Sequence, residues 1–195
     1  MARIELKRVK GDFGFEAKDA DGHIAHLDSS PETGGQNFGI RPMQILLMGL
    51  GGCSGIDIVS ILKKQRQTVE DFSMTIDGER EKGKEPSLWE TIHIVFQLKG
   101  DIDPDKAKKA CELSIEKYCS VAATLRPGHT RITWEVKVND LSLTYQSTLN
   151  VYSPHHASHP YPHRPHRGKR AFLASLPHQQ LLLRRCRRNA RRLCR

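Results

Sequence analysis

Residues 42–62 read PMQILLMGLGGCSGIDIVSIL, an apolar run interrupted by glycines, with one cysteine near its centre. Pro42 suits the first position of a helix, where its missing N–H would be unpaired in any case. The run predicts a helix over 42–65, and its first half is apolar nearly all round, so we expect this half to be buried. Each glycine costs about 1 kcal/mol relative to alanine in a helix interior. We therefore expect another backbone to approach closely at Gly49, Gly51 and Gly52.

The segment before this helix predicts strands followed by a loop. Residues 3–28 are typical of a small antiparallel meander, in which Asp21 and Gly22 supply a tight turn. Residues 29–39 are rich in Ser, Gly, Pro and Asn, which indicates a loop.

The segment after it predicts two long strands, a second helix and a last strand. Residues 69–82 and 88–99 predict the long strands, and apolar residues alternate cleanly in the second. The second helix begins with Asp103 as its N-cap and Pro104 at its first position. Its predicted inner stripe comprises Ala107, Cys111, Ser114, Ile115, Tyr118, Cys119 and Ala122. With a last strand over 132–138, the fold class is α+β: a β-meander, then α-β-β-α-β with two central helices.

The charge of the chain divides it into two parts. The 195 residues carry a net charge of +9, but residues 1–139 hold 20 Lys and Arg against 21 Asp and Glu. Residues 140–195 hold 11 Lys and Arg against one acid, so the whole excess lies there. We predict one domain over 1–139 and a basic His/Pro/Arg-rich tail over 140–195 that is disordered or an out-of-frame extension. The alternative is that the tail contacts nucleic acid through its arginines.

Composition excludes several classes of protein. The longest apolar run, Ile45 to Gly52, is far shorter than the ~18 residues of a membrane span. The N-terminus lacks the apolar stretch of a secretory signal, so we expect a soluble, cytoplasmic protein without a membrane partner. Five cysteines, none in a Cys-x-x-Cys pair, argue against a disulfide framework and a zinc site. The sequence predicts neither a metal nor a cofactor.

Two cysteines are candidates for chemistry. Cys53 lies in the middle of the first helix and Cys119 on the inner stripe of the second. If the helices cross, the two thiols can meet although 66 positions separate them. A buried cysteine also serves simply as a small apolar side chain, and this is our reading of Cys111. For the other two, both readings stay open.

The stretch around Cys53 resembles the first-cysteine helix of the OsmC/Ohr family, and EKYCSVA at 116–122 resembles its second-cysteine motif. The resemblance covers about residues 1–139 and is closest to the YhfA-like branch. It implies an intertwined homodimer with active sites at the interface, and reduction of organic or inorganic hydroperoxides. By this resemblance Cys53 attacks the peroxide and becomes a sulfenic acid. Cys119 then condenses with it to a disulfide, which a dithiol reductant reopens.

The surroundings of Cys53 depart from the pattern of active relatives, which support the thiolate with an arginine and a glutamate. Gln44 stands where they place glutamate, and it cannot form an ion pair. Arg41 is the nearest cation in sequence and is a supporting candidate. Asp57 lies four residues after Cys53 on the same helix face, where its charge would disfavour a thiolate. We therefore expect a weak peroxidase, with a non-catalytic dimeric module that binds a small ligand as the alternative.

Overall fold

Two β-sheets and three α-helices form the part of the chain that this computed structural model describes, residues 1–139 and 141–143. The predicted disorder or out-of-frame origin of 140–195, and its contact with nucleic acid, concern residues that lie almost wholly outside this part. Those statements stay predictions, as does the domain boundary after residue 139.

The first sheet is the predicted meander, three antiparallel strands in chain order. Its strands are β1 (Ile4–Lys10), β2 (Gly14–Asp19) and β3 (Ile24–Leu27). The turn before β3 contains Gly22 at φ +92°, a conformation that glycine adopts without strain. The apolar side chains of this sheet are largely exposed within one chain, and those of Ile4 and Leu6 are each 58% exposed.

The second sheet has the order β4-β5-β6-β7. Its strands are β4 (Thr68–Arg80), β5 (Trp89–Asp101), β6 (Arg131–Val138) and β7 (Leu141–Leu143). β5 and β6 are parallel, and the other pairs are antiparallel. The alternation predicted for β5 is confirmed, since Ile92, Ile94, Phe96 and Leu98 are buried. β7 continues the sheet beyond residue 139.

Helix α1 (Pro42–Lys64) packs along the inner face of β4. By length and composition it could cross a membrane, but Leu50, Ile58 and Leu62 are fully buried in the core. The expectation that its whole first half is buried is wrong for one chain, because Leu46 and Met48 are exposed. The apolar surface of α1 is therefore larger than the area that the rest of one chain covers.

Within one chain, the atoms nearest a Cβ at Gly49, Gly51 or Gly55 belong to side chains and not to another backbone, so the expected backbone approach stays a prediction for a second chain. A Cβ atom at Gly51 would lie 2.8 Å from Ile76 Cδ1, and one at Gly55 would lie 2.9 Å from Met74 Cε. These two glycines admit side chains of β4. A Cβ at Gly52 would meet nothing within 4 Å.

The second helical segment is broken where one continuous helix was predicted. Asp103 is the expected N-cap, and its Oδ1 accepts hydrogen bonds from the backbone N–H groups of residues 105 and 106 at 2.9 and 3.2 Å. Helix α2 (Pro104–Leu113) then passes into a π-turn (Ser114–Tyr118), and helix α3 (Ser120–Leu125) follows. The wider turn shifts the helical register, so Tyr118 is exposed although the inner stripe included it, whereas Cys119 is buried.

Candidate active site

The two predicted cysteines come together between α1 and the junction of the π-turn with α3. Cys53 is half-buried in the middle of α1, and Cys119 is only 2% exposed. Both are free thiols, and their side chains lie in near-contact, close enough for Cys53 to act on the pKa of Cys119 through hydrogen bonding. The fold thus pairs two sulfur atoms that are 66 positions apart in sequence.

The Cys119 sulfur is held by backbone groups on both sides. It is the N-cap of α3 and accepts a hydrogen bond from the Ala122 N–H at 3.4 Å. Its S–H points to the carbonyl oxygen of Leu50 on α1, 4.0 Å away. Burial raises the pKa of Cys119 to about 11, and Cys53 adds to this rise, whereas the Ala122 N–H opposes it. Cys119 is therefore a neutral thiol at neutral pH.

Two fully buried serines lie beside the thiols. The Ser54 hydroxyl donates within its own helix to the Leu50 carbonyl at 2.8 Å, with Gly51 O at 3.2 Å. The Ser114 hydroxyl reaches across to α1, with Ser54 O at 3.2 Å and Asp57 Oδ2 at 3.4 Å. Sequence reasoning placed Ser114 on the inner stripe without giving it a role. A polar residue on an otherwise apolar stripe was the signal for this contact, since buried hydroxyls are nearly always bonded.

An ion pair joins two residues that lie on either side of Cys119 in the sequence, and it was not predicted from the sequence. Arg126 Nη2 lies 2.9 Å from Glu116 Oε2, with both side chains about 30% exposed. Glu116 belongs to the π-turn and Arg126 begins the 3₁₀ turn (Arg126–Gly128) that follows α3. The pair thus ties together the two ends of the segment that contains Cys119. Neither residue follows a recognisable spacing, so only the fold reveals the pairing.

The two supporting candidates lie together at the start of α1. The Arg41 N–H donates to Gln44 Oε1 at 3.3 Å, which closes the first turn of the helix. The Arg41 guanidinium also helps to hold the pKa of Asp28 below its usual range, after the larger effect of the backbone N–H of residue 38. Gln44 is nine residues from Cys53, about 14 Å along the helix axis. A direct role of either residue at the thiols stays a prediction.

The two remaining groups that the sequence singled out, the Asp57 carboxylate and the Cys111 thiol, each have a structural role. Asp57 Oδ2 lies 3.4 Å from the Ser114 hydroxyl oxygen, so its carboxylate has a hydrogen-bond donor within reach on the π-turn. Cys111 is fully buried, and burial raises the pKa of its thiol far above the usual range, as expected of a core residue.

Three side chains near the turn before β3, those of half-buried Asp19 and of exposed Asp21 and His23, lie close enough to share a metal ion. The Asp19 carboxylate, however, already accepts from the backbone N–H groups of Asp21 and His23 and contacts His23 Nδ1 at 2.8 Å. These bonds shape the turn, and such a group needs no ion to explain it.

Comparison with known proteins identifies the family. Residues 33–135 match the family model of the OsmC-like proteins. The chain belongs to the OsmC-like family. Within it, the chain is 38% identical to the protein YhfA of Escherichia coli K12 over 124 residues, which span 63% of this chain and 88% of YhfA.

Solved structures agree with this OsmC-like fold. A hypothetical protein of Aquifex aeolicus is 34% identical, with a TM-score of 0.60 over 71% of this chain and 97% of its own. A Legionella pneumophila protein described as an organic hydroperoxide resistance protein is 19% identical, with a TM-score of 0.57 over 71% of this chain and 97% of its own. At that identity the second likeness shows the fold alone. The α+β architecture predicted from the sequence is confirmed.

Proposed function

We propose that this OsmC-like chain is a thiol-dependent peroxidase that reduces organic or inorganic hydroperoxides through Cys53 and Cys119. The observation that carries the proposal is the near-contact of these two free thiols across the α1–π-turn junction. The Legionella protein that shares this fold is described as an organic hydroperoxide resistance protein, and we propose the same class of substrate for this chain.

The exposure of the two sulfurs assigns their roles. Cys53 is half-buried and is the thiol that a small peroxide can reach. Cys119 is buried and protonated at neutral pH, because its pKa is raised to about 11 by burial. The thiolate is the nucleophilic form, so Cys119 is a poor first attacker. It is suited instead to receive the oxidised sulfur that forms beside it.

The proposed cycle balances in three steps. The Cys53 thiolate attacks the peroxide O–O bond, and with one proton this yields Cys53 sulfenic acid and an alcohol, or water from hydrogen peroxide. Cys119 then attacks that sulfur, forming the disulfide and releasing water. A dithiol reductant then exchanges with this disulfide. Cys53 and Cys119 return to free thiols, and the reductant leaves as a disulfide. We place this cycle in the cytoplasm, where such reductants keep thiols reduced.

The test is single-turnover reduction of cumene hydroperoxide and hydrogen peroxide by wild type and three variants. Cys53→Ser should reduce peroxide only at the background rate. Cys119→Ser should consume one equivalent and stop as a sulfenic acid, which dimedone traps. Cys111→Ser is the matched control and should behave as wild type, since Cys111 is a fully buried core residue with no part in the proposed cycle. Equal background rates in wild type and Cys53→Ser would refute the peroxidase and favour the non-catalytic, ligand-binding module.

A homodimer is the second part of the proposal. Along α1 an apolar stripe is exposed in the single chain, and it includes Ile56, which is 71% exposed. The other members are Met48 and Val59. Gly52 lies within this stripe with open space above it, which allows the close approach of a second helix. Cys53 lies in the same stretch of helix, so a second copy that covers this stripe would also enclose the reacting thiol.

Sedimentation of Ile56→Glu tests the dimer. A charge in the middle of the apolar stripe should convert a wild-type dimer to monomer, because an unpaired buried charge is strongly unfavourable. Thr75→Glu, on the exposed side of β4, is the control and should sediment as wild type. A wild-type chain that sediments as a monomer at micromolar concentration would contradict the proposal.

A further inference from the structure

The geometry points to Ser114 as a positioning residue for disulfide closure. We infer that its hydroxyl anchors the π-turn to α1 and so holds Cys119 against Cys53 for the second step. The inference rests on the proposed function, in which Cys119 must reach the oxidised sulfur of Cys53.

The first observation is that the Ser114 hydroxyl crosses between two elements. Its oxygen lies 3.2 Å from the Ser54 carbonyl oxygen and 3.4 Å from Asp57 Oδ2, both on α1. A hydroxyl has one proton, so it donates to one of these acceptors at a time. The side chain is fully buried, and water cannot replace the bond if it is lost.

The second observation is that the backbone of the same residue closes the π-turn. The Cys119 N–H donates to the Ser114 carbonyl oxygen at 2.8 Å, a bond that spans five residues. Ser114 therefore binds α1 with its side chain and the Cys119 backbone with its main chain. Ser114, which is itself bonded to α1, therefore fixes the position of Cys119.

The third point is where Cys119 would lie if the π-turn were not anchored to α1. A π-turn adds one residue relative to an α-helix, and one residue corresponds to about 100° of rotation about the helix axis. If the segment relaxed to a regular helix, Cys119 would rotate away from the Leu50 carbonyl that it now contacts. Disulfide closure needs the two sulfurs to come within about 2.05 Å in a restricted geometry, so such a rotation would slow it.

The experiment measures closure separately from peroxide attack. Wild type, Ser114→Ala and Ser114→Thr are mixed with one equivalent of cumene hydroperoxide, and sulfenic acid and disulfide are followed by quenched-flow mass spectrometry. We expect Ser114→Ala to form sulfenic acid at the wild-type rate and to close the disulfide about tenfold more slowly, a change of about 1.4 kcal/mol. Ser114→Thr keeps the hydroxyl and should restore closure.

Ser54→Ala is the matched control. Ser54 is also a fully buried serine, but its hydroxyl bonds within its own helix, and Ser114 uses the Ser54 carbonyl, which the substitution leaves in place. Closure in Ser54→Ala should match wild type. An equal slowing in Ser54→Ala and Ser114→Ala would overturn the inference, because it would reflect only the loss of a buried hydroxyl.

A second oxidant separates this inference from the proposed function. Diamide takes two electrons and two protons from a pair of thiols and so forms the disulfide without a peroxide. Slower diamide closure in Ser114→Ala than in wild type supports the positioning role even if neither protein reduces peroxide. Equal closure by diamide overturns the role even if wild type is an active peroxidase.

Hydrogen exchange on the wild-type chain covers the case in which Ser114→Ala does not fold. The Cys119 amide should then be protected to the same degree as the amides of the buried strand β5, because the anchored π-turn holds its hydrogen bond. Exchange as fast as that of an exposed turn would overturn the inference.

Discussion

Raising the pH from 8 to 10 is expected to accelerate closure of the Cys53–Cys119 disulfide by more than the tenfold of an ordinary thiol, and by up to about ninetyfold when the pKa of Cys119 is near 11. Burial raises the pKa of Cys119 to about 11, against the ordinary value of 9.0. With a pKa near 11, about 0.1% of the thiol is ionised at pH 8 and about 9% at pH 10. A thiol with the ordinary pKa would change only from about 9% to about 91%, a tenfold increase. The thiolate is the attacking form, so the closure rate follows these fractions.

The assay begins from the sulfenic acid of Cys53 in a Cys111→Ser background. Protein is mixed with one equivalent of cumene hydroperoxide at each pH, and samples are quenched in acid and denaturant. The remaining thiols are blocked with N-ethylmaleimide, and the disulfide is quantified by intact mass. Closure should still be rising at pH 10.

A closure rate that levels off near pH 9 would refute the reasoning, because it would mean that the Cys119 pKa is close to its ordinary value. Such a result would imply that water reaches the sulfur, in conflict with a side chain that is only 2% exposed. Hydrogen exchange at the Ala122 amide, which donates to the Cys119 sulfur, would then show whether the α3 cap opens.

Three further predictions concern stability. Gly78→Ala should lower the urea midpoint, since the new Cβ would lie 2.8 Å from the rigid indole ring of Trp89, whereas Gly52→Ala has open space above it and should weaken the proposed dimer in sedimentation. Burial raises the Cys111 pKa, so the folded state resists ionisation and stability should fall by about 1.4 kcal/mol per pH unit above pH 9; Cys111→Ala should remove this part of the slope in urea titrations. The pKa of Asp28 is lowered chiefly by a backbone hydrogen bond, so its contribution is present above pH 4 and lost in acid, and Asp28→Asn should flatten the acid side of the Tm profile.

Local sequence patterns predicted most of the fold. The alternation of Ile92, Ile94 and Phe96 predicted a half-buried strand because side chains in a strand point alternately to its two faces. The N-cap at Asp103 was predicted because a short carboxylate satisfies the free N–H groups of a first turn. Both signals depend on neighbours within a few residues, and both are confirmed.

Two features could not be predicted in this way. The inner-stripe spacing before Cys119 is that of an ordinary helix, so the spacing does not reveal the π-turn. The extra residue of the turn is accommodated where Ser114 contacts α1. The glycines of α1 predicted that another group approaches this helix closely, but not which group it is. At Gly51 the group consists of side chains of β4. In both cases the deciding atoms lie on a different element.

The amino-acid sequence alone therefore determined the order of the strands and helical segments, the family and the two candidate thiols, because periodicity, caps and motifs are contained within short windows. Only the tertiary structure decided that these thiols meet, that Cys119 is the buried and protonated one, and that buried serines lie beside them. Burial and contact between segments 66 residues apart depend on how helices and sheets pack, and no short window contains that information.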